Sequence, residues 1–310
     1  MLVMDIVRHL HYFTVVAEEL HFGNAAVRLG MAQPPLSQRI KRLEEELGVR
    51  LFDRSARQVR LTEEGRLLLG EAREIVARVD RLKDLLRHGG EGVLKAGIPP
   101  DLGSVVIGAL VAGFRRHNPD VRLAPAEIWT ADQVTALGEG AIDVGIVRHP
   151  VTAPGLHFGR MLVQTPGVLL PAGDPLAGGP AVHLADLADR EVVLFSREGE
   201  PGPHAETIAE CRRHGFVPAR IHYGITLGLV LAGAAVAFGA ETDVPGLRWR
   251  PLLGSPIVWR VSTAWREQTP AVAGFDEVAV RILKENAGMT DEAAVPVRRV
   301  SPRPAMGFLA

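Results

Sequence analysis

Cysteine is all but missing. Cys211 is the single one in 310 residues, so no disulfide can close within the chain and no cysteine-based zinc site can be assembled. Its setting, "AECRRHG", places Arg212 and Arg213 beside it. That pattern fits a thiol of lowered pKa or, more commonly, an ordinary packed helix cysteine. Long apolar runs are missing too: none reaches the roughly 18 residues of a membrane span. The longest, Leu227 to Ala240, is rich in Gly and Ala, as a buried helix leading into a strand would be. The opening "MLVMDIVRHLHYF" has early charges and no small-residue cleavage site, which gives no signal peptide and an expected cytoplasmic location. G-x-G-x-x-G, P-loop, G-x-S-x-G and H-E-x-x-H motifs are all absent, so the sequence offers no ground for an enzyme or a catalytic residue. His9 and His11 fall on different faces of a helix, so no metal pair is expected there, and no cofactor. Net charge is small as well, at −1, which would argue against nucleic acid if the charges were spread evenly.

They are not. A composition of 47% hydrophobic and 23% charged residues is that of a globular protein, and the length suits two or three domains. Ile6, Leu10, Phe13, Ala17 and Leu20 are spaced for a first amphipathic helix from Asp5 to Leu20, after which Gly23 and Asn24 punctuate the chain. "NAAVRLG" predicts a second, short helix ending at Gly30. Pro34 and Pro35 suit the first turn of a third, with Leu36, Ile40, Leu43 and Leu47 as its buried stripe and Gly48 as its stop. Three helices joined by turns this tight make a helix-turn-helix unit. "VRLFDRSARQVRLT" then predicts a two-stranded wing carrying Arg50, Arg54, Arg57 and Arg60 against Asp53 alone.

A long helix is expected from Thr62 to His88, with Glu63 and Glu64 suiting its dipole. Leu68, Ala72, Ile75, Val79, Leu82 and Leu86 alternate three and four apart along it, a coiled-coil seam that asks for a partner helix and hence a homodimer. "HGGEG" breaks the chain. Beyond it strands and helices alternate, the pattern of a mostly parallel α/β sheet. The expected division is 1–62 for the winged head, 63–88 for the linker helix, 89–92 for a hinge and 93–288 for an α/β domain, with 289–310 a disordered tail.

The second helix of a helix-turn-helix enters the major groove of double-stranded DNA, and its N-terminal residues reach base edges. Gln33, Pro34, Ser37 and Gln38 stand there, followed by Arg39, Lys41 and Arg42, with Arg54 and Arg57 on the wing for the phosphate backbone or the minor groove. Spacing alone also fits a three-helix bundle with a solvated basic face. The stretch from His9 to Gly65, "HLHYFTVVAEELHFGNAAVRLGMAQPPLSQRIKRLEEELGVRLFDRSARQVRLTEEG", closely resembles the N-terminal domain of LysR-type transcriptional regulators. "AQPPLS" is similar to the branch that regulates catabolism of benzoate and related aromatics. "FRRHNPDVRL", "LGEGAIDVGI", "RRHGFVPARI" and "LGLVLAG" follow in the order of that family's effector domain.

The resemblance implies a dimer through the linker helix, often paired into a tetramer, and possible contact with RNA polymerase. It also implies a periplasmic-binding-protein-like effector domain of two subdomains, here 93–161 with 265–288 and 162–264, around a small-molecule cleft. It carries DNA contact over to Gln33, Pro34, Ser37, Gln38 and Arg57. The family usually has Arg directly after the Ser, where this chain has Gln38 and then Arg39. That swap would move one base preference from guanine toward adenine.

Open α/β sheets bind ligands at strand carboxyl ends. The rule selects the loops Pro99 to Ser104, with Pro100, Asp101 and Leu102; Trp129 to Gln133, with Thr130; and Ser196 to His204, with Glu200 and Pro203. The resemblance assigns an effector contact to the Thr130 hydroxyl and fits Gln133. Asp101 reads first as a helix N-cap; facing the cleft instead, it would repel an anion and suit a neutral or cationic effector. Trp129 could stack on a ring or pack on the sheet. Arg148 could pair an anion or stand exposed at a strand end. The segment between Ile221 and Leu227 is shorter than usual in the family, which puts the effector in question. Three alternatives stay open: a solute-binding protein, an α/β enzyme, and a regulator that no longer senses a ligand.

Overall fold

The computed structural model describes residues 5–54, 59–87, 92–224 and 227–292, and of 80, 81 and 84–87 the backbone alone. Arg57 lies outside the described residues, as do the side chain of Leu86 and the segment 293–310.

Helix α1 (Ile6–Glu19) is capped by the Asp5 side chain, which accepts from the Arg8 amide. Helix α2 (Phe22–Arg28) begins before Gly23 and Asn24, so these do not punctuate the chain: the His21 ring accepts from the Asn24 amide and starts the helix earlier. Helix α3 (Gln33–Leu47) closes at Gly48 in the left-handed conformation. Phe13, Val16, Leu36, Ile40, Leu43, Leu51 and Phe52 form one core under these helices. Leu47 is not part of it; the last turn of α3 leaves it exposed. Strands β1 (Phe52–Asp53) and β2 (Arg60–Leu61) pair antiparallel as the wing.

Helix α4 (Glu63–Arg87) follows, its start fixed by Thr62, whose hydroxyl accepts from the Gly65 amide. The expected seam is divided on this helix. Ala72 is fully buried and Leu68 partly so, both packed into the head's own core beside α1, whereas Ile75 and Leu82 are 40% and 57% exposed. Ala72 thus serves the fold of its own chain, because α4 crosses α1 before it leaves the head.

The remaining chain builds two sheets, as two subdomains require, both mixed rather than mostly parallel. The strands are β3 (Gly92–Ile98), β4 (Val121–Glu127), β5 (Val144–His149), β6 (His157–Phe158), β7 (Leu162–Gln164), β8 (Gly167–Pro171), β9 (Val192–Leu194), β10 (Ile221–Tyr223), β11 (Val236–Gly239), β12 (Leu247–Pro251), β13 (Trp259–Trp265) and β14 (Thr290–Asp291). The first sheet runs β14-β7-β13-β5-β3-β4, with β6 beside β13; the second runs β10-β9-β11-β8-β12. In the first, β3 lies parallel to β4 and β5, while β13 returns antiparallel to β5.

Helices α5 (Ser104–His117) and α9 (Pro270–Ala287) pack together on the first sheet through Phe114 and Phe275, and α6 (Thr130–Gly138) covers another part of it. On the second sheet, α7 (Pro201–Arg213) packs through Ile208 and Cys211, and α8 (Leu227–Leu231) packs through Val230. Three boundaries need correction. Strands β7 and β13 belong to the first sheet, not to the second subdomain, since both carry apolar faces that complete the first core. Gly92 starts β3 instead of ending a hinge. Met289 is buried and Thr290–Asp291 pair with β7, so these three residues belong to the fold.

Candidate DNA interface and effector cleft

The tip of α3 is built by its prolines. Ala32 precedes the helix in extended conformation and makes no side-chain cap bond. Pro34 and Pro35 have no amide hydrogen, so two of the first-turn donors that would need a partner do not exist. Gln33, Pro34, Pro35 and Gln38 are consequently exposed together at the start of the helix, with Ser37 half-buried behind them, and Arg42 is exposed further along it. The same prolines leave fewer free amides to attract phosphate, so attraction at this tip must come from side chains.

Arg39 does not stand free. Its Nη1 donates to the Tyr12 phenol oxygen at 2.7 Å, the Arg8 Nε donates to the same oxygen at 2.7 Å, and the Arg39 guanidinium lies 4.9 Å from the Tyr12 ring centroid. One phenol on α1 therefore holds two cations side by side, and among the described residues neither forms an ion pair. Arg8 and Tyr12 escape a sequence reading centred on α3; only the i, i+4 spacing of an arginine and a tyrosine on α1 signals them. Arg54 is anchored as well, 3.1 Å from Glu44 and 4.8 Å from the Phe22 ring centroid. The other Glu44 oxygen accepts from the amides of Leu51 and Phe52, which ties α3 to the wing.

A cleft of about 420 Å³ opens between the two sheets. Asp101, Leu102, Trp129 and Arg148 line it from the first sheet's side, with Gln164; Leu169, Val193, Phe195, Ala237 and Phe238 line it from the second. Of the residues expected there, Pro100, Thr130, Gln133, Glu200 and Pro203 do not reach the wall.

Thr130 is buried behind it. Its hydroxyl donates to Glu200 Oε1 at 2.8 Å and accepts from the Arg148 amide at 3.0 Å, so both of its roles are spent inside the protein. Gln133 is fully buried, and its Nε2 donates to the carbonyls of Ile128 and Ile146 at 2.7 and 3.0 Å. Gly97 in β3 and Gly145 in β5 make room for it: a Cβ at Gly97 would come within 2.8 Å of three Gln133 side-chain atoms. Pro203 lies in the first turn of α7, buried.

Asp101 is not an N-cap, and Arg148 is not exposed. Gly103 precedes α5, while Asp101 sits in a 3-10 turn, Pro100–Leu102, with both carboxylate oxygens 2.8 Å from Arg148 Nη2. The Arg148 side chain is 5% exposed, 3.6 Å from the fully buried Glu200, and its guanidinium lies 5.3 Å from the Phe195 ring centroid and 6.0 Å from that of Trp259. Burial by itself would depress the guanidinium's pKa; the carboxylates of Asp101 and Glu200 outweigh it and the net shift is upward. Glu200 is pushed the other way from a usual carboxylate. Burial raises it, against the pull of Arg148 and the Thr130 hydrogen bonds.

Cys211 is sealed in the second core, where burial pushes its thiol up to about 12, so the neighbouring arginines do not activate it. Among the described residues no helix is long and apolar enough to cross a membrane, and no group of three His, Cys, Asp or Glu could hold a metal ion.

Comparison with known proteins divides the chain along the same lines. Residues 7–66 match the model of the bacterial regulatory helix-turn-helix protein of the lysR family, and residues 87–283 match that of the LysR substrate binding domain. The uncharacterized HTH-type transcriptional regulator YnfL of Escherichia coli is 34% identical over 283 residues, covering 86% of this chain and 95% of its own. AlsR of Bacillus subtilis, another HTH-type transcriptional regulator, is 36% identical over 239 residues, covering 74% and 79%. A crystal structure of full-length CbnR complexed with its target DNA superposes with a TM-score of 0.65 at 27% identity, covering 90% of this chain and 100% of CbnR. A helix-turn-helix head with a wing, a long connecting helix and a two-sheet domain around a cleft, together with these matches over nearly the whole length, identify the chain as a member of the LysR family of DNA-binding transcriptional regulators with an effector-binding domain.

Proposed function

We propose that the protein acts in the cytoplasm as a homodimer or homotetramer on promoter DNA. Two heads joined along α4 set their α3 tips into successive stretches of major groove, and a small molecule between the two sheets alters the distance between the heads. The observation that carries this is α3, where Gln33, Pro34 and Gln38 at the tip and Arg42 further along are exposed while Leu36, Ile40 and Leu43 bury the opposite face. The exposed Ile75 and Leu82 are an apolar surface suited to a second copy of α4. A changed head spacing alters DNA bending and thereby access of RNA polymerase, which extends the partner set to that enzyme.

In this reading Gln38 reads a base edge, whereas Arg8 and Arg39, paired on Tyr12, and Arg42 and Arg54 neutralise phosphates; Arg57 joins them from the wing. Gln hydrogen-bonds bidentately to adenine and Arg to guanine. Binding selection from a random duplex pool with wild type and Gln38→Arg is therefore expected to give motifs differing at one position per half-site, adenine giving way to guanine. Identical motifs would remove Gln38 from base reading. Failure of both proteins to enrich any duplex would remove the DNA function itself.

A further inference from the structure

The charged groups at the cleft already answer one another. Asp101 meets Arg148 through both carboxylate oxygens at 2.8 Å, so this guanidinium on the wall has its counterion built in. A second carboxylate, Glu200, lies 3.6 Å away on the buried side. A ligand carboxylate arriving at Arg148 would have to displace a bidentate partner and sit beside two further acids, with its own desolvation uncompensated. A ligand ammonium fares no better: Asp101 keeps lone pairs, but its charge is already answered by Arg148, and the guanidinium beside it repels a second cation. Glu241 also faces the cleft, but it is solvent-exposed and screened.

Two donors are left over. Among the described residues Arg148 Nε and Nη1 are buried and make no hydrogen bond, Nη1 standing 3.6 Å from Glu200 Oε1, beyond hydrogen-bond range, and Arg148 lines the cleft. A buried donor without an acceptor is unfavourable, and an acceptor atom on a ligand would relieve that cost. Phe195 and Trp259 flank the guanidinium, and Trp129, Leu169, Val193 and Phe238 add hydrocarbon and ring elsewhere on the wall, with the uncharged Ser104, Gln164, Thr242 and Asn286 among them. We infer that the effector is uncharged, with a carbonyl or hydroxyl oxygen accepting from Arg148 and a ring or hydrocarbon body against the apolar walls. The inference rests on the cleft being the effector site.

Three probes with one ring and different charge test it: benzamide, benzoate and benzylamine, the last an ammonium at neutral pH, each titrated calorimetrically into the full-length protein. The wild type is expected to bind benzamide at least tenfold more tightly than either ion. Asp101→Asn, which releases Arg148 from its counterion, is expected to bind benzoate at least tenfold more tightly than the wild type does. Asp101→Ser supplies the same release with a shorter side chain should the Asn variant fail to fold.

Wild type that takes benzoate as well as benzamide, or variants with no gain for benzoate, would overturn the assignment, as would silence from every probe on every variant. Val105→Trp separates this failure from failure of the cleft reading. Val105 lines the cleft yet is 73% exposed, so the larger ring fills space without disturbing a core. Benzoate binding abolished by Val105→Trp leaves the cleft as the site with the charge class wrong. Binding indifferent to it places the probe elsewhere and overturns both.

Discussion

Gln133 shows how far a single residue can mislead when its surroundings are unknown. Its position after a strand, in the first turn of a helix, matches a family pocket pattern, yet its amide is bonded to two backbone carbonyls and fills the hollow above Gly97 and Gly145. What fixes its direction is the Ile128 carbonyl just ahead of its own helix, together with the Ile146 carbonyl and the two glycines of β3 and β5. Those glycines carry ordinary backbone angles, so their role is clearance, not conformation. Gly97→Ala is accordingly expected to cost about 1–3 kcal/mol by overpacking. In a Gln133→Ala background the same substitution is expected to cost almost nothing. Urea unfolding of the four proteins in that cycle checks it, and additive losses would show that Gly97 and Gln133 are independent. The same lesson holds for Thr130, Glu200 and Arg148. Of the three only Arg148 lines the cleft, and the partition into wall and backing depends on which carboxylate the arginine meets, and Asp101 is 47 positions away.

At the scale of elements, α3 and the wing are legible almost entirely, because their signals are local: prolines at the start, a three-four apolar period, glycine at the stop. Their junction is not. In "LEEELG" nothing distinguishes Glu44 from Glu45 and Glu46, and a run of three acids reads as a solvated face. The fold singles out Glu44 because only it points at the chain as this turns into β1. There it accepts from the amides of Leu51 and Phe52 at 2.9 and 3.2 Å and holds Arg54. Hydrogen bonds to a charged group contribute about 1.5–3 kcal/mol. Glu44→Ala is expected to lose stability on that order and to weaken DNA binding uniformly across sequences, since the wing arginine loses its anchor but no base contact changes. Glu44→Gln keeps an acceptor for the amides and should recover most of the stability. Chemical denaturation beside a gel-shift titration on specific and random duplexes reads both effects, and a Glu44→Ala protein as stable as wild type would refute the anchoring role.

At the scale of the whole molecule, sequence order alone assigns each strand to the subdomain in which it occurs, whereas the chain passes between the sheets twice and returns β13 to the first. That return carries Arg266, just past β13, to the middle of the linker helix. Its Nη1 lies 3.3 Å from Glu74 and donates to the Gly138 carbonyl at 3.2 Å. One residue earlier on α4, Arg73 pairs with Glu18 of α1 at 3.1 Å and with Glu139 at the end of α6. Burial pushes the Glu139 carboxyl up, and the Arg73 charge opposes that shift. Head, linker and effector domain thus meet at two adjacent residues. Isolated surface pairs are worth about 0–1 kcal/mol each, so their combined effect is orientation more than stability. In Arg73→Ala/Arg266→Ala the head and effector domain should melt further apart in a calorimetric scan than they do in the wild type. The network is half-exposed, and the screening length falls from about 10 Å at 0.1 M salt to about 3 Å at 1 M. High salt should therefore move the wild-type scan toward that of the double variant while leaving the variant's own separation unchanged. Equal separations in the two proteins at low salt would mean that the linker helix is held by packing alone and that the ion pairs transmit nothing between cleft and head.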